Sequence, residues 1–215
     1  VSAIFAIPSI IYFIQNQTIY KFVWVWTYFF QRPLTQLDKI GNTLAFVGLF
    51  TILFVLYMVI VKKHQQIFKN KKQIFIAIAI VSILFMLIIP YTSTDVYSYI
   101  ANGWSAAHYH ENPYYVSTGE IADSHQVNDP MFNKVANCWR YETVVYGPLW
   151  TGICTVLSWL SFGNIDMALL LFKIVNLVVH LINCMLIYKI TKKKLFVVLY
   201  GLNPFILFEA LSNVH

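Results

Sequence analysis

The run TLAFVGLFTILFVLYMVIV (residues 43–61) carries no charge over nineteen residues; KKHQQIFKNKK (62–72) follows it, and a second uncharged run, IFIAIAIVSILFMLIIPY (74–91), comes two positions later. A helix that crosses a bilayer needs about 20 apolar residues. Two such runs joined by five lysines read as transmembrane helices joined by a short basic loop. Of the 215 residues 59% are apolar and only 11% charged, with a mean hydropathy of +0.63. That balance excludes a soluble globular domain, which carries roughly a quarter charged residues, and excludes a disordered chain. The fold class expected is all-α: a polytopic membrane helical bundle with one large polar loop.

The remaining spans are placed in the same way. A partial apolar run covers 1–14, an aromatic stretch with Trp24, Trp26, Tyr28, Phe29 and Phe30 resembles an interfacial belt, and further apolar runs cover 167–190 and 195–212. The net charge of +6 bears on topology rather than on nucleic acid, because lysine-rich short loops stay in the cytoplasm. The 62–72 segment and Lys192-Lys193-Lys194 should therefore lie on one side, which makes the number of crossings between them even. Three apolar pieces lie between them, so the shortest, 149–162, is expected not to cross. The 92–147 loop is then external. The chain begins inside an apolar run without Met and reads as the N-terminal part of one transmembrane domain, a fragment of a longer protein. Its three cysteines follow neither a disulfide nor a metal-ligand spacing.

Six of the nine acidic residues fall in the 92–147 loop: Asp95, Glu111, Glu120, Asp123, Asp129 and Glu142. Ser93-Thr94-Asp95 offers capping side chains, and Val96, Tyr99, Ile100, Gly103, Trp104 and Ala107 recur at helical spacing up to Asn112-Pro113. This predicts a helix lying on the membrane, with Asp95 where a span leaves the bilayer. A carboxylate there suits proton abstraction from a hydroxyl, and an N-cap is the structural alternative. His108 and His110 are two residues apart and diverge on a helix, so His108, His110 and Glu111 read as interfacial polar residues rather than as a metal site. Arg140, one of two arginines, stands among aromatics and suits a phosphate, or else a loop carboxylate; Lys134 is a weaker version of the same idea. Lys173, Asn176, His180 and Asn183 share one side of the 167–190 helix. Lys173 either reaches a lipid phosphate or snorkels to the interface. Asn203-Pro204 breaks the last span, with Glu209 beyond it.

Three segments carry a family resemblance: Asp95-Val-Tyr-Ser-Tyr through Gly103 to Asn112-Pro113-Tyr114; Trp139-Arg140 with Tyr146-Gly147-Pro148-Leu149; and Leu202-Asn203-Pro204 with Glu209 and His215. Their order and spacing resemble the bacterial polyprenyl-phosphate-mannose-dependent α-1,6-mannosyltransferases, within the GT-C class of integral membrane glycosyltransferases. The class places a catalytic aspartate in the first large external loop just after a span, and Asp95 occupies that position. The resemblance implies membrane-lying helices in the loop and a site in the bacterial plasma membrane. It also implies transfer of a hexose, mannose first, from a polyprenyl-phosphate donor to a glycan or lipid-linked acceptor hydroxyl, with inversion. Arg140 and Lys173 are then expected at the donor phosphate, and Tyr97, Tyr99, Asn112, Tyr114, Trp139, Tyr146, Glu209 and His215 at the substrates. No cofactor is expected, since cations suffice for a monophosphate leaving group, although the scheme leaves room for a divalent metal. The rival readings are a transporter or lipid flippase, marked by inverted repeats and several broken helices, and a non-catalytic membrane subunit.

Overall fold

The computed structural model describes residues 36–90 and 92–215, so the expected span over 1–14 and the aromatic belt over 20–30 lie outside the described residues. All regular structure among the described residues is helical: α1 (Gln36–Ile67), α2 (Lys71–Met86), α3 (Asp95–His108), α4 (Thr118–His125), α5 (Pro148–Leu160), α6 (Ile165–Thr191), α7 (Lys194–Gly201) and α8 (Pro204–Leu207), which continues as a π-helical turn over Phe208–Asn213. Two compact units contain them. One is the chain up to Ile89 with Asn176–Ser212, and the other is Pro90–Val175 with Asn213–His215.

In the first unit, Thr43–Ile67 of α1 is long and apolar enough to cross a membrane, and α7 with Pro204–Asn213 forms a pair bent by 47°; α6, whose residues are divided between the two units at Val175, is also long and apolar enough. Leu44, Val55 and Met58 stay exposed along α1, as side chains facing lipid tails would. The lysine-rich segment is less of a loop than its sequence suggests. α1 runs on through His64 to Ile67, and α2 starts at Lys71 on a capping box in which Asn70 Oδ1 accepts from the Gln73 N–H (3.0 Å) and Gln73 Oε1 from the Asn70 N–H (3.4 Å). At its other end α2 stops at Met86, five residues before the apolar run does. Pro90 disfavours a helical Ile89, and the Leu87 and Ile88 N–H groups close the last turn on Ile83 and Phe85 carbonyls.

The core of this unit gathers Tyr57, Ile74, Ile78, Cys184, Val197 and Val198 from four helices, with the Tyr57 hydroxyl donating to the Leu199 carbonyl (2.9 Å). A β-carbon on Gly201 would lie 2.5 Å from Ile78 Cδ1 and 2.9 Å from Cys184 Sγ, so glycine there lets α7 close on α2 and α6. Phe46, Phe50 and Phe54, spaced by four on α1, form a ring ladder, and Phe46 and Phe50 both meet Phe208. Half of the polar stripe on α6 is helix-to-helix glue. His180 Nε2 lies 3.3 Å from the Gly201 carbonyl with its ring stacked on Tyr200, whose hydroxyl accepts from Asn183 Nδ2 at 3.0 Å. The break at Asn203-Pro204 is built as expected, the Asn203 side chain capping α8 at the Phe205 N–H.

In the second unit α3 packs across α5. A β-carbon on Gly103 would sit 2.2 Å from the Cys154 carbonyl oxygen, and the Ser158 hydroxyl donates to the Ile100 carbonyl at 2.9 Å. α3 buries Val96, Tyr97, Tyr99, Ile100, Ala101, Gly103, Trp104 and Ser105, more than one apolar stripe, because α5 and the following loop both cover it. α5 has 13 residues, about 20 Å at 1.5 Å per residue, against a hydrocarbon core of about 30 Å.

Candidate active site

Asp95 opens α3. Its N–H donates to Ser93 Oγ at 3.2 Å, and the N-cap position is held by Thr94, which makes no side-chain cap, so Asp95 stands in the first turn rather than at the cap. That carboxylate meets His215 instead: Nε2 lies 3.1 Å from Asp95 Oδ2, with the Asp95 side chain 26% exposed and that of His215 54%. Two features bring His215 there. Asn213 Nδ2 donates to the Thr92 hydroxyl at 2.6 Å while its Oδ1 accepts from the Thr92 N–H at 3.3 Å, which ties the end of the π-helical turn to the entrance of α3. Val214, buried, then takes φ +61°, a left-handed conformation that a β-branched residue adopts only under constraint. Strain of this kind and π-turns both concentrate at functional sites.

One turn into α3, Tyr99 is buried between two rings at right angles to it, Tyr146 at 5.1 Å and Trp150 at 5.5 Å. Burial, the hydrogen bond with Tyr146 and the nearby negative charge of Asp95 together hold the Tyr99 hydroxyl well above its ordinary range, so it stays a proton donor. Tyr114 joins the same wall. Its hydroxyl donates to the Tyr146 carbonyl and lies 2.8 Å from Thr151 Oγ1, while Asn112 Oδ1 accepts from the Tyr114 N–H and shapes the turn that ends the helical segment. Asp95, His215, Tyr99, Tyr146, Tyr114 and Asn112 thus lie along one linked surface, with Tyr146 38% exposed at its edge.

The other expected residues lie elsewhere. Tyr97 faces away from this wall, with Lys134 Nζ 5.2 Å from its ring centre; burial and the charge of Asp166 push its hydroxyl up to about 12. Burial lowers the Lys134 ammonium from its usual range, and Asp166 opposes that shift. Trp139 is exposed. Arg140 follows it, and its carbonyl accepts from the Gly119 N–H (2.7 Å) and the Thr118 hydroxyl (3.1 Å), so its backbone is fixed to α4. Lys173 is buried at 5% exposure, so the expected snorkelling to an interface does not occur: the stem stays inside the protein. Glu209 belongs to the π-helical turn of the first unit.

Sequence reasoning missed Asp129. Its Oδ2 accepts from Trp104 Nε1 and from the Tyr109 hydroxyl, both at 2.8 Å, and its Oδ1 from the Met131 N–H. The His108 ring stacks on Trp104 at 4.5 Å, a packing role. Among the described residues no three His, Cys, Asp or Glu side chains gather as a metal site would require.

The described residues are all-helical, with two helices long and apolar enough to cross a membrane and six of the chain's nine acidic residues in the polar segment between them, the form of an integral membrane protein. The family described as alpha-(1->6)-mannopyranosyltransferase, N-terminal domain, matches residues 17–215. The chain belongs to that family and is a glycosyltransferase domain for mannose transfer, acting between a sugar donor and an acceptor. Comparison with curated proteins and with solved structures returns no match.

Proposed function

We propose that this domain transfers mannose from a polyprenyl-phosphate donor to an acceptor hydroxyl on the external face of the bacterial plasma membrane, with inversion. The observation that carries the reading is the Asp95 carboxylate, held at the entrance of α3 by His215 and flanked by the Tyr99–Tyr146 wall. In the step proposed, the acceptor oxygen bonds to the anomeric carbon as the bond from that carbon to the phosphate oxygen breaks. The acceptor proton passes to Asp95, and the electron pair leaves with the lipid phosphate. A single displacement inverts the anomeric centre.

The aromatic edge at Tyr146 and Trp150 offers a flat apolar face for a sugar ring, and Asn112 and Tyr114 set its position. Arg140 remains the proposed partner for the donor phosphate. Its guanidinium matches phosphate geometry, and α4 fixes the backbone that carries it. Lys173, being buried, would serve only a phosphate drawn down beside α6. Cations suffice for a monophosphate leaving group, so the scheme needs no cofactor and leaves a divalent metal optional. Among the described residues one span is broken, at Asn203-Pro204, whereas a transporter fold would repeat such breaks.

Donor class is tested by supplying membranes that contain the full protein with mannose on either polyprenyl phosphate or a nucleotide. Label reaching the acceptor from the lipid donor alone supports the reading. Direct transfer from the nucleotide donor, with polyprenyl-phosphate-mannose synthesis blocked, overturns it.

A further inference from the structure

Two lysines of the first unit line a recess. His64 and Gln65, at the C-terminal end of α1, with Lys193, Lys194 and Leu195, at the start of α7, line a cavity of about 530 Å³. The segments 62–72 and 189–195 hold nine of the chain's fifteen lysines and arginines and no Asp or Glu, so nothing acidic within them offsets the charge. A bias of lysine toward one side of the membrane accounts for the charge. It does not account for a shaped cavity with a cation held in place, as Lys194 is. Lys194 Nζ donates to the Lys69 carbonyl at 2.8 Å, across the turn between α1 and α2, and keeps two further N–H groups. His64 Nδ1 lies 2.8 Å from the Val61 carbonyl, which as an acceptor sets the proton on Nδ1 and leaves Nε2 as the ring's other polar atom. α7 begins at Lys194 with no side chain capping its first N–H groups.

We propose that this recess binds the phosphate headgroup of an anionic phospholipid. The ligand chemistry is a phosphate ester, and the surroundings favour a lipid over a free anion. Leu195 and the lysine stems give the recess an apolar floor. Ile67 and Phe196, one turn and one residue from lining positions, are exposed, as is Ile190 at the end of α6, so acyl chains would lie along side chains that water would otherwise meet. Basic pockets among the ends of transmembrane helices suit such headgroups.

The test uses the full protein purified in a neutral detergent, delipidated, and titrated with phosphatidylglycerol, phosphatidylcholine or inorganic phosphate, with bound lipid counted by native mass spectrometry. A lysine that lines the recess and meets the headgroup should strengthen binding about fivefold, the contribution of one basic side chain at an anionic lipid surface. Lys193→Gln should therefore weaken phosphatidylglycerol about fivefold, and Lys193→Gln with Lys194→Gln about 25-fold. Lys62→Gln with Lys63→Gln, which removes two lysines that do not line the recess, should change affinity by about twofold or less. Phosphatidylcholine should bind far more weakly than phosphatidylglycerol. Because Lys194 also holds the Lys69 carbonyl, the Lys193 single variant keeps the test independent of any loss of fold in the double. Equal losses in the two double variants would mean diffuse charge attraction and overturn the site, as would no loss in the recess variants. Tight binding of inorganic phosphate that is lost in Lys193→Gln would overturn the lipid assignment and leave a site for a soluble phosphate.

Discussion

Gly103→Ala should damage the domain well beyond the usual effect of one methyl group. The new β-carbon would lie 2.2 Å from the Cys154 carbonyl oxygen, 2.5 Å from its carbon and 2.6 Å from Ser158 Oγ. Backbone atoms cannot rotate away as a side chain can, so α3 and α5 must separate by about an ångström. Overpacking of this kind costs about 1–3 kcal/mol. Parting the helices also stretches the Ser158 to Ile100 hydrogen bond, a further loss of about 1 kcal/mol. A total of about 2–4 kcal/mol corresponds to a fall in melting temperature of about 4–16 °C at this chain length. Gly152→Ala on α5 is the control, since its β-carbon meets nothing within 4 Å and alanine is the better helix former. With the exposed Cys138 blocked beforehand, a thiol-reactive dye that fluoresces when buried Cys154 and Cys184 become accessible follows the unfolding of the purified protein. A Gly103→Ala protein that melts like wild type, or a Gly152→Ala protein that melts as early as Gly103→Ala, would refute the packing argument. Mannose transfer should fall with Gly103→Ala even below its melting point, because α3 carries Asp95.

Three further outcomes are expected. His215→Gln should reduce transfer only a few-fold, since an exposed pair contributes about 1 kcal/mol or less, and initial rates in membranes will show it. Burial, then the hydrogen bond and charge of Asp129, push Tyr109 up to about 12, so the stability it contributes is complete below pH 10 and declines as pH rises from 10 to 12. Tyrosinate absorbance of the loop should accordingly include a late-titrating component, and Asp129→Asn should move part of it to lower pH. In right-side-out vesicles a membrane-impermeant maleimide should label the exposed Cys138 and spare Cys154 and Cys184; labelling of Cys138 only after permeabilisation would contradict an external loop.

The uncharged run at 43–61 and the long apolar run at 167–190 were legible as α1 and α6 because lipid selects composition directly, and Asn203-Pro204 was legible as a break because proline lacks the N–H a helix needs. The helix from Asp95 was legible from its apolar spacing. α4 carried a usable signal in the capping pair Ser117 and Glu120, where the Ser117 N–H and hydroxyl both donate to Glu120 Oε2 at 2.8 Å and hold its carboxyl below the usual range. Other features depend on tertiary contact. Nothing local marks Asp129 as the partner of Trp104 and Tyr109, residues 25 and 20 positions away. Nor does periodicity show that Tyr97 turns toward Lys134 while Tyr99, two positions on, turns toward Tyr146. The left-handed Val214 that delivers His215 to Asp95 has no sequence signature, because valine disfavours the conformation it adopts.

The most direct test of the proposed chemistry is the initial rate of mannose transfer from polyprenyl-phosphate-mannose by the full protein in membrane vesicles, comparing wild type with Asp95→Asn at matched protein levels. Asparagine keeps the shape and the contact with His215 but takes no proton, so a positioned base predicts a fall of about 10²–10⁴-fold. A rate within a few-fold of wild type would contradict the account and remove Asp95 from the chemistry.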